Sequence, residues 1–125
     1  MMGVVDTAHP RYGEVWLVSM MEAQGRGSEY REGDSCPAVV VSSDAMGMMG
    51  RRLVACIDLP QAAEGLWRVE IPDLKLSGIG KQGVVDAMQL HSVDIGQCVR
   101  KIGRVTADCM AEVAAAIAIV VEYED

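Results

Sequence analysis

The run Cys36-Pro37-Ala38-Val39-Val40-Val41-Ser42-Ser43 constrains this chain most. Three consecutive valines have little freedom at χ1 and fit a pleated, buried surface. Pro37 lacks an N–H, so it suits the opening of a strand and not its middle. Two serines and Asp44 follow at once and supply turn chemistry. A short apolar run bounded this way predicts a strand buried on both faces.

The rest of the chain must supply partners for such a strand. At 125 residues it is one domain's length, and half of its residues are hydrophobic. That is enough apolar surface to fold without disulfide or metal staples. No apolar run has the length of a membrane span, and residues 1–11 do not resemble a signal peptide. The expectation is a cytoplasmic protein with a flexible arm over 1–10 and a single domain over 11–125, with no membrane partner.

In order along the chain, Val15–Val18 predicts the first strand. The stretch 20–35 is rich in glycine and charge and predicts an exposed loop, mobile over Gly25–Asp34. After the organising strand, Asp44–Met49 predicts one helical turn capped by Ser43 or Asp44. Leu53–Ile57, Trp67–Ile71, Gly83–Leu90 and Cys98–Val105 predict four more strands, with a short turn over Ser92–Gly96. Thr106 is a good N-cap. Met110, Val113, Ala114, Ile117 and Val121 then recur at helical spacing. The helix is nearly apolar all round after Glu112, which predicts packing on the sheet and on a second copy of the chain.

Charge and cysteine spacing exclude several classes. A formal net charge of −7 argues against sequence-independent attraction to nucleic acid over the whole surface, but leaves room for a local groove. Cys36, Cys56, Cys98 and Cys109 form no CxxC pair, and His9 and His91 stand near no ligand cluster. No metal and no cofactor are expected. The Gly78–Gly83 stretch lacks the spacing of a phosphate loop.

Several local words, in order, carry a resemblance. They are Gly13-Glu14-Val15-Trp16, Gly27-Ser28-Glu29, Pro37-Ala38-Val39-Val40-Val41-Ser42, Gly83-Val84-Val85 with Gln89, and Gly103-Arg104-Val105 before the last helix. Together they resemble the MazF/PemK family of toxin endoribonucleases over about 11–121. The resemblance implies a mainly β, α+β fold: a small SH3-like, strongly bent barrel sheet with a C-terminal helix. It also implies a homodimer, a groove for single-stranded RNA and an antitoxin that occupies the groove. The implied chemistry is metal-independent: the 2′-hydroxyl attacks the adjacent phosphate, so the protein supplies an acceptor, a donor and positive charge.

The family's arginine before the Pro-Ala/Val strand is Cys36 here, and its hydroxyl near the end of the third strand is Asp58. On the fifth strand, the arginine and aspartate of PemK-like members correspond to Asp86 and Met88. An asparagine after the second strand corresponds to Gly47. The groove implied by the resemblance is lined by Ser28, Glu29, Arg31, Ser42, Gln89 and His91.

A thiol cannot replace a guanidinium fork, and aspartates at 58 and 86 repel phosphate. Cys36 has no basic neighbour or helix N-terminus in sequence, so it reads as an inert thiol. Arg31 and His91 are the first residues to test as substitutes. The expected function is therefore a MazF/PemK-like toxin with weakened or lost RNA cleavage. The alternative is a non-catalytic homodimeric module that binds an antitoxin-like peptide or RNA. A CcdB-like gyrase poison ranks third, because the expected ending is replaced by Val120-Val121-Glu122-Tyr123-Glu124-Asp125.

Overall fold

The computed structural model describes residues 9–20, 35–58 and 65–122. The expectations for residues 1–8 of the N-terminal arm, for the mobility of 25–34, and for Ser28, Glu29 and Arg31 fall outside these residues; at the end of the arm, Pro10 is buried and its carbonyl accepts from Arg52 Nη1.

The chain forms one six-stranded antiparallel sheet. In sequence the strands are β1 (Glu14–Ser19), β2 (Ser35–Val40), β3 (Arg51–Asp58), β4 (Arg68–Glu70), β5 (Val84–Asp94) and β6 (Cys98–Arg104). In space their order is β4-β5-β3-β2-β1-β6. The two edge strands, β4 and β6, do not pair with each other, so the bent sheet stays open and does not close into a barrel. Register shifts in β1/β6 and in β3/β5 supply the bends.

The organising run behaves as its composition demands. Ala38, Val39 and Val40 are fully buried. Their side chains alternate between two cores. Val39 joins Val15, Ala55, Val85 and Val113, beneath the last helix. Ala38 and Val40 join Trp16, Val18, Val54 and Val93 on the other side. Each buried valine is worth ~1.5–3 kcal/mol relative to exposure, so both faces hold this strand in place.

Two helices complete the fold: α1 (Leu74–Ser77) and α2 (Ala107–Val120). The Thr106 side chain caps α2 by accepting from Cys109 N at 3.1 Å. The helix buries Cys109, Met110, Val113 and Ala116 and packs on β4 and β5. Its far end leaves Ile119 49% and Val121 60% exposed. The one-turn α1 was not anticipated. Its signals are present nevertheless: Asp73 accepts from Leu76 N, and Gly78 terminates it in the left-handed region at φ +78°.

At Gly103 the α1 backbone comes so close to β6 that an added Cβ would lie 2.3 Å from the Ser77 carbonyl oxygen. The Gly103-Arg104-Val105 word is thus a packing requirement as well as a lead into α2. Gly13-Glu14-Val15-Trp16 is another. Gly13 N donates to Val40 O, and Gly13 O accepts from Val105 N. The Glu14 carboxylate accepts from Arg11 N and Trp16 Nε1 and pairs with Lys101 at 3.0 Å. Burial pushes the Glu14 carboxyl up, but these three donors outweigh it and hold the group below its ordinary range.

Of two further elements, the first keeps the bounds and cap of the sequence reading and the second departs from it. Asp44–Met49 is a 3₁₀ turn, and the Ser43 side chain accepts from Ala45 N at 3.1 Å. Ser92–Asp94 is the end of β5 and not a turn. Arg51, across the ladder, bonds Ser92 Oγ, Ser92 O and the Asp94 carboxylate and holds those residues extended.

Candidate active site and groove

β3 and β5 build the site through a bulge. Ala55 pairs with Leu90 and Ile57 with Val85, so Cys56 alone stands opposite Asp86, Ala87, Met88 and Gln89. A bulge of this kind re-aims side chains that a regular ladder would send to alternating faces. Here Gln89 Nε2 reaches both Asp58 Oδ2, at 3.0 Å, and Asp86 Oδ2, at 3.1 Å. Asp86 is 6% exposed. It also accepts from Met88 N at 2.9 Å and pairs with Arg68 Nη1 at 3.3 Å. Arg68 arrives from β4, opposite Asp86 in the register.

Cys36 enters the same neighbourhood from β2. Its Sγ lies 3.8 Å from Cys56 Sγ, and either thiol can donate. All four cysteines are free thiols. Contact with Cys56 brings the Cys36 thiol down to about 7, against burial and the Asp58 carboxylate, which both push it up. Cys56 moves the opposite way: it keeps the shared proton, and burial with the nearby aspartates disfavours its charge. The inert-thiol expectation therefore missed a neighbour. Cys36 and Cys56 are twenty positions apart, and only the β2/β3 register brings them together.

The structure thus unites Cys36, Asp58, Asp86 and Gln89. Met88 is 63% exposed beside them. His91 lies further along β5, opposite Val54. Ser42 sits past the other end of β2. Its Oγ accepts from Arg52 Nε and Leu53 N, and its carbonyl accepts from Arg52 Nη2. That is a tether between elements and not a group facing the Cys36 end. Gly47 belongs to the 3₁₀ turn after β2.

A groove of about 520 Å³ opens beside Asp58. Leu17, Pro37 and Ile57 give it an apolar floor, and Lys81, Arg100 and Lys101 give it positive walls. Lys101 is partly neutralised by Glu14. Lys81 and Arg100 form no ion pair among the described residues. These cations were not singled out in the sequence. Cross-strand placement of Arg100 against Leu17, and of Leu17 against Pro37, is what assembles the wall. A second groove, of about 760 Å³, is rimmed by Glu70, Asp73, Asp108 and Glu112 against Lys75 alone. Its charge opposes a phosphate backbone.

Among the described residues, no group of three or more His, Cys, Asp or Glu side chains is placed to hold a metal ion. No described helix is long and apolar enough to cross a membrane.

Residues 11–121 match the model of a family described as PemK-like, MazF-like toxin of type II toxin–antitoxin systems. Solved structures share the fold. An endoribonuclease from a mycobacterial species is 15% identical, with 91% of this chain and 92% of that chain covered and a TM-score of 0.71. A mycobacterial endoribonuclease in complex with its cognate antitoxin is 16% identical, over 93% and 98%, with a TM-score of 0.72. A MazE–MazF complex from Deinococcus radiodurans is 20% identical, over 92% and 97%, with a TM-score of 0.68. No curated protein matches the chain in sequence.

Proposed function

This chain belongs to the PemK-like, MazF-like toxin family of type II toxin–antitoxin systems, and from that premise we propose that it binds single-stranded RNA in the Lys81–Arg100 groove while cutting it weakly or not at all. One observation carries the reading. Where the resemblance expects a guanidinium and a hydroxyl, the chain has a thiol against a second thiol, and a carboxylate tied to Gln89. The nearby Arg68 guanidinium is engaged by Asp86. The chemistry needs positive charge on the equatorial phosphate oxygens, and this cluster offers two carboxylates instead.

Binding is a separate matter from cutting. The groove walls present cations next to an apolar floor, which suits a backbone of phosphates with splayed bases. The same surface suits an acidic antitoxin segment. Two of the three structural neighbours described above are toxin–antitoxin complexes, which favours an antitoxin as the second occupant. The homodimer reading is supported by the exposed Ile119 and Val121 at the end of α2. A cytoplasmic location fits an RNA target and free thiols.

Fluorescence anisotropy with a labelled single-stranded RNA tests the groove. Replacing Lys81 and Arg100 by alanine should weaken binding and flatten the plot of log affinity against log salt by roughly 1.4, at about 0.7 per phosphate contact on a single strand. Unchanged affinity and slope in that variant would place the RNA elsewhere.

A further inference from the structure

Cys36 and Cys56 are the one pair of thiols within hydrogen-bond distance among the described residues. Cys98 packs with Trp16 and Val40, and Cys109 points from α2 into the core that holds Val39. Both are buried, and burial pushes both thiols up, Cys98 to about 11. The Cys36–Cys56 pair differs in three respects. Its sulfurs are 3.8 Å apart, Cys36 is half-buried, and Cys56 is buried behind it.

The backbone around Cys36 also permits movement. β2 pairs with β3 only from Ala38, opposite Cys56, to Val40, opposite Val54. Cys36 precedes that ladder and pairs only with Val18 on β1. Pro37 has no N–H to donate. A disulfide needs sulfurs about 2.05 Å apart, so the two must approach by roughly 1.7 Å. Side-chain rotation and a shift of the start of β2, which pairs with β1 but not with β3, supply that distance.

We propose that Cys36 and Cys56 are a peroxide-reactive dithiol, a modification site in which Cys36 is oxidised first and Cys56 resolves it to an intramolecular disulfide. The Cys36 thiolate attacks an oxygen of a hydroperoxide. An S–O bond forms, the O–O bond breaks, and the departing alkoxide or hydroxide takes a proton. Cys36 is now a sulfenic acid. The Cys56 sulfur then attacks the Cys36 sulfur. The S–S bond forms, the S–O bond breaks, and the hydroxide leaves with the Cys56 proton as water. Two thiols and one hydroperoxide give a disulfide, an alcohol or water, and water. The sulfurs lose two electrons, and the peroxide gains them.

The contact that lowers Cys36 toward neutral pH raises its thiolate fraction, in keeping with a reactive first cysteine. Asp58 opposes that charge, Asp86 opposes charge on Cys56, and the Arg68 cation engages Asp86. The product would tie the start of β2 to β3 beside Asp58. The inference rests on the thiol geometry and stands whether or not the chain binds or cuts RNA.

The test uses the full chain, reduced, freed of reductant and treated with hydrogen peroxide in slight excess. Remaining thiols are alkylated, and peptides are mapped by mass spectrometry with and without dithiothreitol. The expected result is a Cys36–Cys56 cross-linked peptide lighter by two hydrogens, reversed by dithiothreitol, with Cys98 and Cys109 alkylated. Cys36 should be consumed at least about tenfold faster than either of those thiols. Cys56→Ser should lose the cross-link and accumulate a dimedone-trappable sulfenic acid at Cys36. Cys36→Ser should leave Cys56 unoxidised. Oxidation of Cys98 or Cys109 at the rate of Cys36 would overturn the proposal. So would Cys36 advancing to sulfinic acid with Cys56 free, or a Cys36 link between two chains.

Discussion

The two ends of β3 each carry a charged group among polar neighbours, and they are built on opposite principles. At the first end Arg52 is 4% exposed, yet all of its charge is matched. It donates to Ser42 Oγ, Ser42 O, Pro10 O and the Asp44 carboxylate. Asp44 also accepts from Tyr12 N, and this bond first, with Arg52 after it, holds its carboxyl below the ordinary range. At the other end Asp58 and Asp86 share one amide, from Gln89, and one guanidinium from Arg68 serves Asp86. A thiol pair adjoins them. A buried charge whose three nitrogens all donate is fastening. A cluster with carboxylates in excess and a thiol lowered toward neutrality is where reactivity lives.

The sharpest way to break this contrast is to remove Arg52. Arg52→Ala should cost about 3 kcal/mol or more, because the Pro10 and Ser42 carbonyls lose charged donors and each unsatisfied buried group costs ~1–3 kcal/mol. Urea denaturation of the variant reads this directly. A loss under about 1 kcal/mol would show that the first end of β3 is not fastening.

At the other end, Asp58→Thr should change stability by less than about 1 kcal/mol, since one hydrogen bond is exchanged and a like charge near Asp86 is removed. The same denaturation series compares the two ends on one scale. A large loss at Asp58 would make that end structural as well.

A smaller effect separates the thiols. Cys36 has its lowered value near 7, so its thiolate fraction climbs through neutral pH, while Cys98, raised to about 11, stays protonated. Iodoacetamide at pH ~7.5 should label Cys36 first, and its rate should level off as pH passes above about 7–8. Equal labelling of Cys36 and Cys98 would remove the distinction between the regions.

How far this contrast could be read from the sequence depends on what sets each feature. The strands over Val15–Val18, Ala38–Val40 and Leu53–Ile57 were legible because local composition fixes them: β-branched runs bounded by turn residues. The last helix was legible for the same reason, with Thr106 as its cap. Cys36, Asp58, Asp86 and Gln89 were singled out by resemblance, one at a time. Their convergence was not legible, because it depends on the β3/β5 bulge at Cys56, which no local pattern announces. Cys56 itself looked like one more apolar position of a buried strand. Lys81 and Arg100 were hidden for a related reason: they come from a turn and a strand distant in sequence, brought to one groove where Gly78 packs against Ile102 of β6. Ser92–Asp94 was misjudged because polar turn-forming residues can be held extended when a partner such as Arg51 satisfies them across the ladder.

The central claim is that the groove retains binding while the Cys36–Asp58 end lacks the charge for cutting. Incubation of the purified protein with a long single-stranded RNA, with and without EDTA, and primer extension to map products, tests it most directly. The Cys36→Arg, Asp58→Thr double variant runs alongside. The native chain should leave the RNA intact or nearly so. The double variant should cut it without metal, faster by about a hundredfold to a thousandfold, the usual worth of one well-placed donor to the transition state. Native protein that cuts in EDTA as fast as the double variant would contradict the claim.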